Sequence, residues 1–405
     1  MKCCRSRERA KEGIMKPFLN KLIQSSILFI TLLPFTVAQE ALNTSGKRTE
    51  ARKNYQNGEY YMRRGRVAAA LQEWKQALAK DPTYSDAAYD LGGACFLLGE
   101  LDLAEKYWKQ TLTIDPTHYK AWDSLGFLKT RKGDFENALR DIDKSLEINP
   151  KYVNAHVNKG FVYASINQID QAIEAWKAAL VIEPGNIKAR ENIARIYLTI
   201  GKENEAINEW RTLLEFSPQY AFAYYNLGII AGGQRKIEEA IRHYVKAVSL
   251  EPKFAAAHNN LAYLYASQKD FEKAESHYLK AIEGNTKYLK AYTNLAALYD
   301  EMGQVQKSIA KLIELSKETP QDPIVFNNIG FLLSKDGKIE KAIQYYRKSI
   351  SIWDRYPNAY YNLAEALVAK GLKKEAIANY EKCIELVPNS PKNQETLSKI
   401  AQLSQ

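Results

Sequence analysis

The chain repeats itself every 34 residues, and few folds accommodate so strict a period. Pro82, Pro116, Pro150, Pro184, Pro218 and Pro252 stand 34 apart; Pro320 and Pro388 keep the register, and Thr286 and Asp354 fill the two places between. Alanine recurs in step from Ala70 and Ala104 through Ala342 and Ala376, interrupted once by Ser308. Small residues recur earlier in each unit: Gly58, Gly92, Gly126, Gly160, Ala194, Gly228, Ala262, Ala296, Gly330 and Ala364. Ten units run from 51 to 390 without an insertion. Self-similarity at this spacing marks supersecondary units that must stack to bury their apolar faces.

One unit is legible in physical terms. In 85–118, the stretch Asp86–Leu98 holds helix formers with apolar positions at three- and four-residue spacing. Gly99 ends that helix and permits a reversal. Leu101–Ile114 reads as a second amphipathic helix, closed by Asp115-Pro116 because proline disfavours helix in the residue before it. Gly92 and Ala104 let the two helices approach, and Leu91 and Trp108 fill the space around the crossing. Neither helix can bury its apolar face within one hairpin, so neighbours must stack into a solenoid.

On these residues the chain resembles the tetratricopeptide repeat family. The fourth unit keeps Gly160, Tyr163, Ala172, Trp176, Ala179 and Pro184, and the seventh keeps Leu261, Tyr265, Ala274, Tyr278 and Ala281. The resemblance implies an all-α, right-handed superhelical solenoid of about ten helix-turn-helix repeats over 51–390. Residues 391–405 are expected as a C-terminal capping helix, with Leu397, Ile400, Ala401 and Leu403 on one side sealing the last unit. Asn54 and Asn57, at usually apolar places of the first unit, suit a terminal cap facing solvent. Trp74, Trp108, Trp176, Trp210, Tyr244, Tyr278, Tyr346 and Tyr380 share one second-helix place and read as core. Cys95 and Cys383, eight units apart, read as reduced and structural.

The N-terminus follows another rule. Residues 22–38, LIQSSILFITLLPFTVA, form an apolar run preceded by Lys16 and Lys21 and ending in Thr36-Val37-Ala38. Counted from Met15, it has the basic start, apolar middle and small-residue end of a secretory signal peptide cleaved after Ala38. Residues 1–14 then read as an upstream start, and 39–50 as a linker. The rival is an uncleaved membrane anchor, against which stand the short length and Gln24, Ser25 and Ser26. Of the formal charge of +10, residues 1–38 contribute seven Lys/Arg and two Asp/Glu, leaving +5 over the rest. That mild, dispersed excess does not suggest a nucleic-acid protein.

Leader, linker, repeats and cap account for the whole sequence, leaving no catalytic domain. The five histidines do not cluster by spacing, no phosphate loop follows Gly92-Gly93 or Gly232-Gly233, and no metal or cofactor is expected. The expected business of the chain is therefore binding. In this family the first helices line a concave groove, and the residue before the Leu-Gly pair faces it. Here that place holds Asn158, Asn192, Asn226, Asn260, Asn294, Asn328 and Asn362. A carboxamide matches the N–H and C=O of any peptide group. The series resembles the asparagine ladder in the repeat region of O-linked N-acetylglucosamine transferase, whose transferase domain has no counterpart here. Alternatively, each asparagine bonds to the neighbouring helix.

Groove charges are nearly balanced, and units six and seven present Phe222, Tyr225, Ile229, Asn259 and Tyr263, which suit an apolar stretch of extended peptide. Phe222 and Tyr225 can equally pack on the adjacent helix. The place where chaperone-clamping relatives carry lysine holds none. The expectation is an exported, non-enzymatic scaffold binding a protein or extended peptide in its groove, in a cell envelope. Its alternatives are an envelope assembly or secretion factor that uses its convex face or edges, and a regulatory peptide-binding subunit of an enzyme complex.

Overall fold

The computed structural model describes residues 46–404. The expected leader over 1–38, the anchor alternative and the start at Met15 lie outside the described residues. Every regular element among the described residues is an α-helix, and they divide into two compact units, one ending at Ser217 and the other beginning at Pro218. The first unit holds α1 (Gly46–Arg63), α2 (Val67–Lys80), α3 (Ser85–Leu97), α4 (Leu101–Ile114), α5 (Tyr119–Lys132), α6 (Phe135–Ile148), α7 (Val153–Ser165), α8 (Ile169–Ile182), α9 (Ile187–Thr199) and α10 (Glu203–Phe216). The second holds α11 (Ala221–Gly233), α12 (Ile237–Leu250), α13 (Ala255–Ser267), α14 (Phe271–Gly284), α15 (Leu289–Glu301), α16 (Val305–Glu318), α17 (Pro323–Lys335), α18 (Ile339–Ile352), α19 (Pro357–Ala369), α20 (Lys373–Leu386) and α21 (Asn393–Leu403). Up to α20, odd-numbered helices are first helices and even-numbered ones second helices, giving the ten expected pairs, with α21 after them. α1 begins inside the stretch expected as a linker, since nothing between Gly46 and Ala51 interrupts a helix.

Within a pair, small residues set the crossing. A Cβ added to Gly92 would lie 2.4 Å from the Trp108 ring, so only glycine admits the indole there. Trp108 is buried, and its Nε1–H donates to the Tyr89 carbonyl at 3.1 Å; Trp74 and Trp176 repeat the bond to Tyr55 and Val157 at 3.2 and 3.0 Å. Burying a side chain of this size contributes on the order of 2–3 kcal/mol, and the hydrogen bond removes the cost of hiding its polar end.

Each pair closes through the same turn. The amide that follows a left-handed residue reaches back five residues, as in Glu100 N–H to the Cys95 carbonyl at 2.9 Å and Asp270 to Tyr265 at 2.9 Å. Gly99 supplies the left-handed residue at φ 82°, but Asn167, Arg235 and Lys269 adopt it at 62°, 60° and 61°. A side chain in that conformation costs on the order of 1 kcal/mol, less for asparagine.

Between pairs, the prolines serve a use that the sequence did not reveal. Their carbonyls accept from the fourth residue of the next unit: Trp122 to Pro116 at 2.9 Å, His156 to Pro150 at 2.9 Å, Arg190 to Pro184 at 2.8 Å, Tyr224 to Pro218 at 3.3 Å and His258 to Pro252 at 3.1 Å. Five residues share a donor and little else, so hydropathy alone gives no common signal.

Two expectations at the ends need correction. Asn54 donates to Glu73 and Gln76 at 2.8 Å each, and Asn57 to Glu73 at 3.3 Å, so these residues form a polar seam with α2 instead of simply facing water. In α21 the buried residue is Thr396; Ile400 and Leu403 are half-buried, while Leu397 and Ala401 are exposed. The helix is tied down instead by Lys399, which donates to Glu365 at 2.6 Å and to the Tyr361 hydroxyl at 2.8 Å.

Candidate functional site

The seven asparagines of the expected ladder all lie on first helices, in unlike surroundings. Asn158 donates Nδ2–H to Asp123 Oδ1 at 2.9 Å, and Asn294 and Asn362 donate in the same way to Asn259 and Asn327 Oδ1 at 3.0 Å. Each bond spans 35 residues, joining a ladder place to the residue just before the ladder place of the preceding repeat. Tyr55, donating to Asp90 at 2.7 Å, runs the same seam with the donor reversed. The signal was in the sequence as Asp or Asn 35 residues before Asn158, Asn294 and Asn362.

The other four have no Asp or Asn 35 residues before them. Val157 stands 35 residues before Asn192, which is wholly buried with neither Nδ2 nor Oδ1 hydrogen-bonded. Asn226, also buried, donates to the Phe222 carbonyl of its own helix at 2.7 Å. Asn260 makes a long contact of 3.4 Å to the Tyr244 hydroxyl and also bonds Tyr225. Asn328 receives Asn327 at 3.5 Å. A carboxamide has two N–H groups and a carbonyl. Half-buried Asn294 and Asn362 are thus oriented by one bond each, and keep an N–H and an Oδ1 that no described residue engages.

The expected aromatic selectors fall into two groups. Phe222 and Tyr225 pack around Phe254, with ring centroids 6.4 and 4.9 Å away, and Tyr225 also meets Tyr244 at 5.9 Å. They join α11 to the next repeat. Tyr263, by contrast, is 61% exposed. It belongs to a series in 34-residue register, one residue past the helix crossing: Ile229 (40% exposed), Tyr263, exposed Ala297 and Phe331 (53%). Ala297 and Phe331 escaped the sequence reading, although the spacing from Ile229 and Tyr263 pointed to them. The next place in the register is Glu365, which pairs with Lys399 at 2.6 Å; beside the stripe Lys335 pairs with Asp300 at 2.7 Å, leaving Lys290 and Glu301 as charges of opposite sign.

In the first unit the same register carries no such stripe. It holds half-buried Glu59 and Gly93, Phe127 packed on Phe96 at 5.8 Å, buried Phe161, and Arg195 at 3.3 Å from Glu191. Carboxyl groups mark this face instead. Burial pushes Asp90 up to about 7 against the hydrogen bond from Tyr55, and Asp123 up to about 7 against the bond from Asn158.

The histidines were expected not to gather, and two do. His258 and His277 face each other across α13 and α14 with Nδ1 atoms 2.9 Å apart, the same 19-residue spacing that joins Tyr55 to Trp74, Tyr89 to Trp108 and Val157 to Trp176. His258 donates Nε2–H to Pro252, so its Nδ1 accepts and His277 Nδ1–H donates. Burial lowers both pKa values; His277, with His258 beside it, falls to about 4. Among the described residues no three His, Cys, Asp or Glu side chains gather as a metal-ligand set. Cys95 and Cys383 are buried thiols, their pKa values raised by burial.

Family models described as tetratricopeptide repeat match residues 55–119 and 225–288, 322–389, 142–174 and 277–310, and 119–152. No curated protein matches the chain. Among solved structures, MamA is similar at 26% identity over 40% of this chain and 96% of that one, with a TM-score of 0.36. YrrB, described as a TPR protein with an unusual peptide-binding site, is similar at 17% identity over 47% and 97%, with a TM-score of 0.38. PilW, described as a widely conserved type IV pilus biogenesis factor, is similar at 22% over 50% and 94%, with a TM-score of 0.46.

Proposed function

The chain belongs to the tetratricopeptide repeat family, and on that premise we propose that it is an exported, non-enzymatic adaptor holding a segment of another protein on the first-helix face of its second unit. The observation that carries this reading is the exposed apolar stripe Ile229, Tyr263, Ala297 and Phe331, with half-buried Asn260, Asn294, Asn328 and Asn362 on the same helices or the next. Large apolar side chains held in water in regular register are what a binding face presents. The oriented carboxamides of Asn294 and Asn362 add peptide-backbone recognition at little entropic cost, because their rotamers are already fixed. Phe222 and Tyr225 shape the start of this face from within the packing.

A pull-down from envelope extract tests the reading, comparing the full chain with a folded Asn260/Asn294/Asn328→Ala variant and a folded Tyr263→Ser/Phe331→Ser variant. A protein kept by the native chain and lost by both variants supports it. Equal retention by all three places the interaction on the second helices or the ends, as an assembly factor would have it. Export rests on the pattern of residues 22–38. Sequencing the mature N-terminus checks it: a start at Gln39 supports cleavage, and a membrane-bound chain that keeps 22–38 supports the anchor.

A further inference from the structure

The side chains left exposed on the second unit restrict the conformation of what can lie there. We propose that the bound segment is extended in polyproline-II geometry, uncharged, and apolar at every third residue. This rests on the reading above, that the first-helix face of the second unit is the binding face.

Asn294 on α15 bonds Asn259 on α13 at 3.0 Å, and Asn362 on α19 bonds Asn327 on α17 at 3.0 Å, so successive first helices are in direct contact. Helices in contact lie ~8–10 Å apart. The stripe therefore offers one apolar contact every ~8–10 Å. A β-strand returns a side chain to the same face every ~6.6 Å and turns its third residue away. Polyproline II has three residues per turn and rises ~3.1 Å for each, so side chains recur on one face every ~9.3 Å. That matches the stripe.

An α-helix with one apolar residue per heptad recurs every ~10.5 Å and also meets the distance. Its backbone groups are bonded internally, however, and leave the remaining N–H and Oδ1 of Asn294 and Asn362 without partners. A polyproline-II backbone has no internal hydrogen bonds and offers both groups. Charge follows the same logic. Lys335 is neutralised by Asp300 and Glu365 by Lys399, and Lys290 and Glu301 leave one charge of each sign, so the face favours neither a cationic nor an anionic ligand.

Calorimetric titration of the full chain with designed peptides tests this. Three are about twelve residues long, enough at ~3.1 Å per residue to span four repeats. One repeats Leu-Pro-Ser, one rearranges the same residues so that leucines alternate, and one is a helix former with heptad-spaced leucines. The first is expected to bind at least about tenfold tighter than the others, and to lose that margin on the Tyr263→Ser/Phe331→Ser variant, whose folding circular dichroism verifies. Replacing its serines by lysine or by aspartate is expected to weaken it in both cases. If the alternating or the helical peptide binds as tightly, and still depends on Tyr263 and Phe331, the inference fails while the binding face stands. If none binds, or if binding ignores the variant, the binding face itself is refuted.

Discussion

The two units share one 34-residue plan and spend their first-helix side chains differently. In the first, the outward places are consumed internally: Asp90 takes the Tyr55 hydroxyl, Arg195 lies against Glu191, and Phe161 is buried. In the second, Ile229, Tyr263 and Phe331 remain exposed and the neighbouring charges pair off. The framework places, glycine at the crossing and an aromatic opposite it, determine that repeats stack. The two places beside them decide whether a stack is closed on itself or open to a partner.

The largest expected effect separates the units by binding. Tyr263→Ser with Phe331→Ser should weaken a captured partner about a hundredfold, whereas Arg195→Ala in the first unit should change it less than about twofold, measured by titration. A comparable loss from Arg195→Ala would erase the distinction.

Next comes stability at the ladder places. Asn192→Leu removes two buried polar groups that lack hydrogen bonds and should stabilise the first unit by about 1–2 kcal/mol. Asn294→Leu breaks an inter-repeat bond, leaves Asn259 Oδ1 without that donor, and should destabilise the second by about 1 kcal/mol. Amide hydrogen exchange resolved by unit reads both, and equal signs would show that the two asparagines are not in different states.

The pH responses should oppose each other. Asp90 and Asp123 keep their protons to about pH 7 when folded and release them near 4 when unfolded. The folded first unit thus binds more protons in that window and loses stability as pH rises through it. His258 and His277 behave in reverse: unfolded rings take protons below about 6.5, and the folded rings only at lower pH, His277 near 4. The second unit therefore loses stability as pH falls from 6.5 toward 4. Exchange at pH 5 and 7.5 should show changes on the order of 1 kcal/mol, of opposite sign in the two units, and Asp123→Asn should reduce the response of the first to the part carried by Asp90.

The smallest effect lies in the turns. Arg235→Gly and Lys269→Gly should each stabilise the second unit by about 0.5–1 kcal/mol, while Asn167→Gly in the first should change little, since asparagine tolerates the left-handed conformation. Thermal unfolding checks the three together.

The fold was legible because its determinants are local and repeated: Gly92 against Trp108 recurs in kind at Gly58 and Trp74 and at Gly160 and Trp176. The site was only partly legible. The asparagines stood out by spacing, yet which of them is engaged depends on a residue 35 places away that belongs to another helix. His258 and His277 were missed because 19 residues matches no helical period; it is the distance across a hairpin. Phe222, Tyr225 and Tyr263 looked alike in sequence. Phe254, at the N-terminal cap of α13, covers the first two, while Tyr263 stays exposed.

The most direct test of the central claim is photo-crosslinking from single positions of the folded full chain. A benzophenone side chain placed at Tyr263 or Phe331, and separately at Phe127 or Arg195, is irradiated in envelope extract. The account predicts a partner adduct from Tyr263 and Phe331 and none from Phe127 or Arg195. Adducts confined to Phe127 and Arg195 would contradict it.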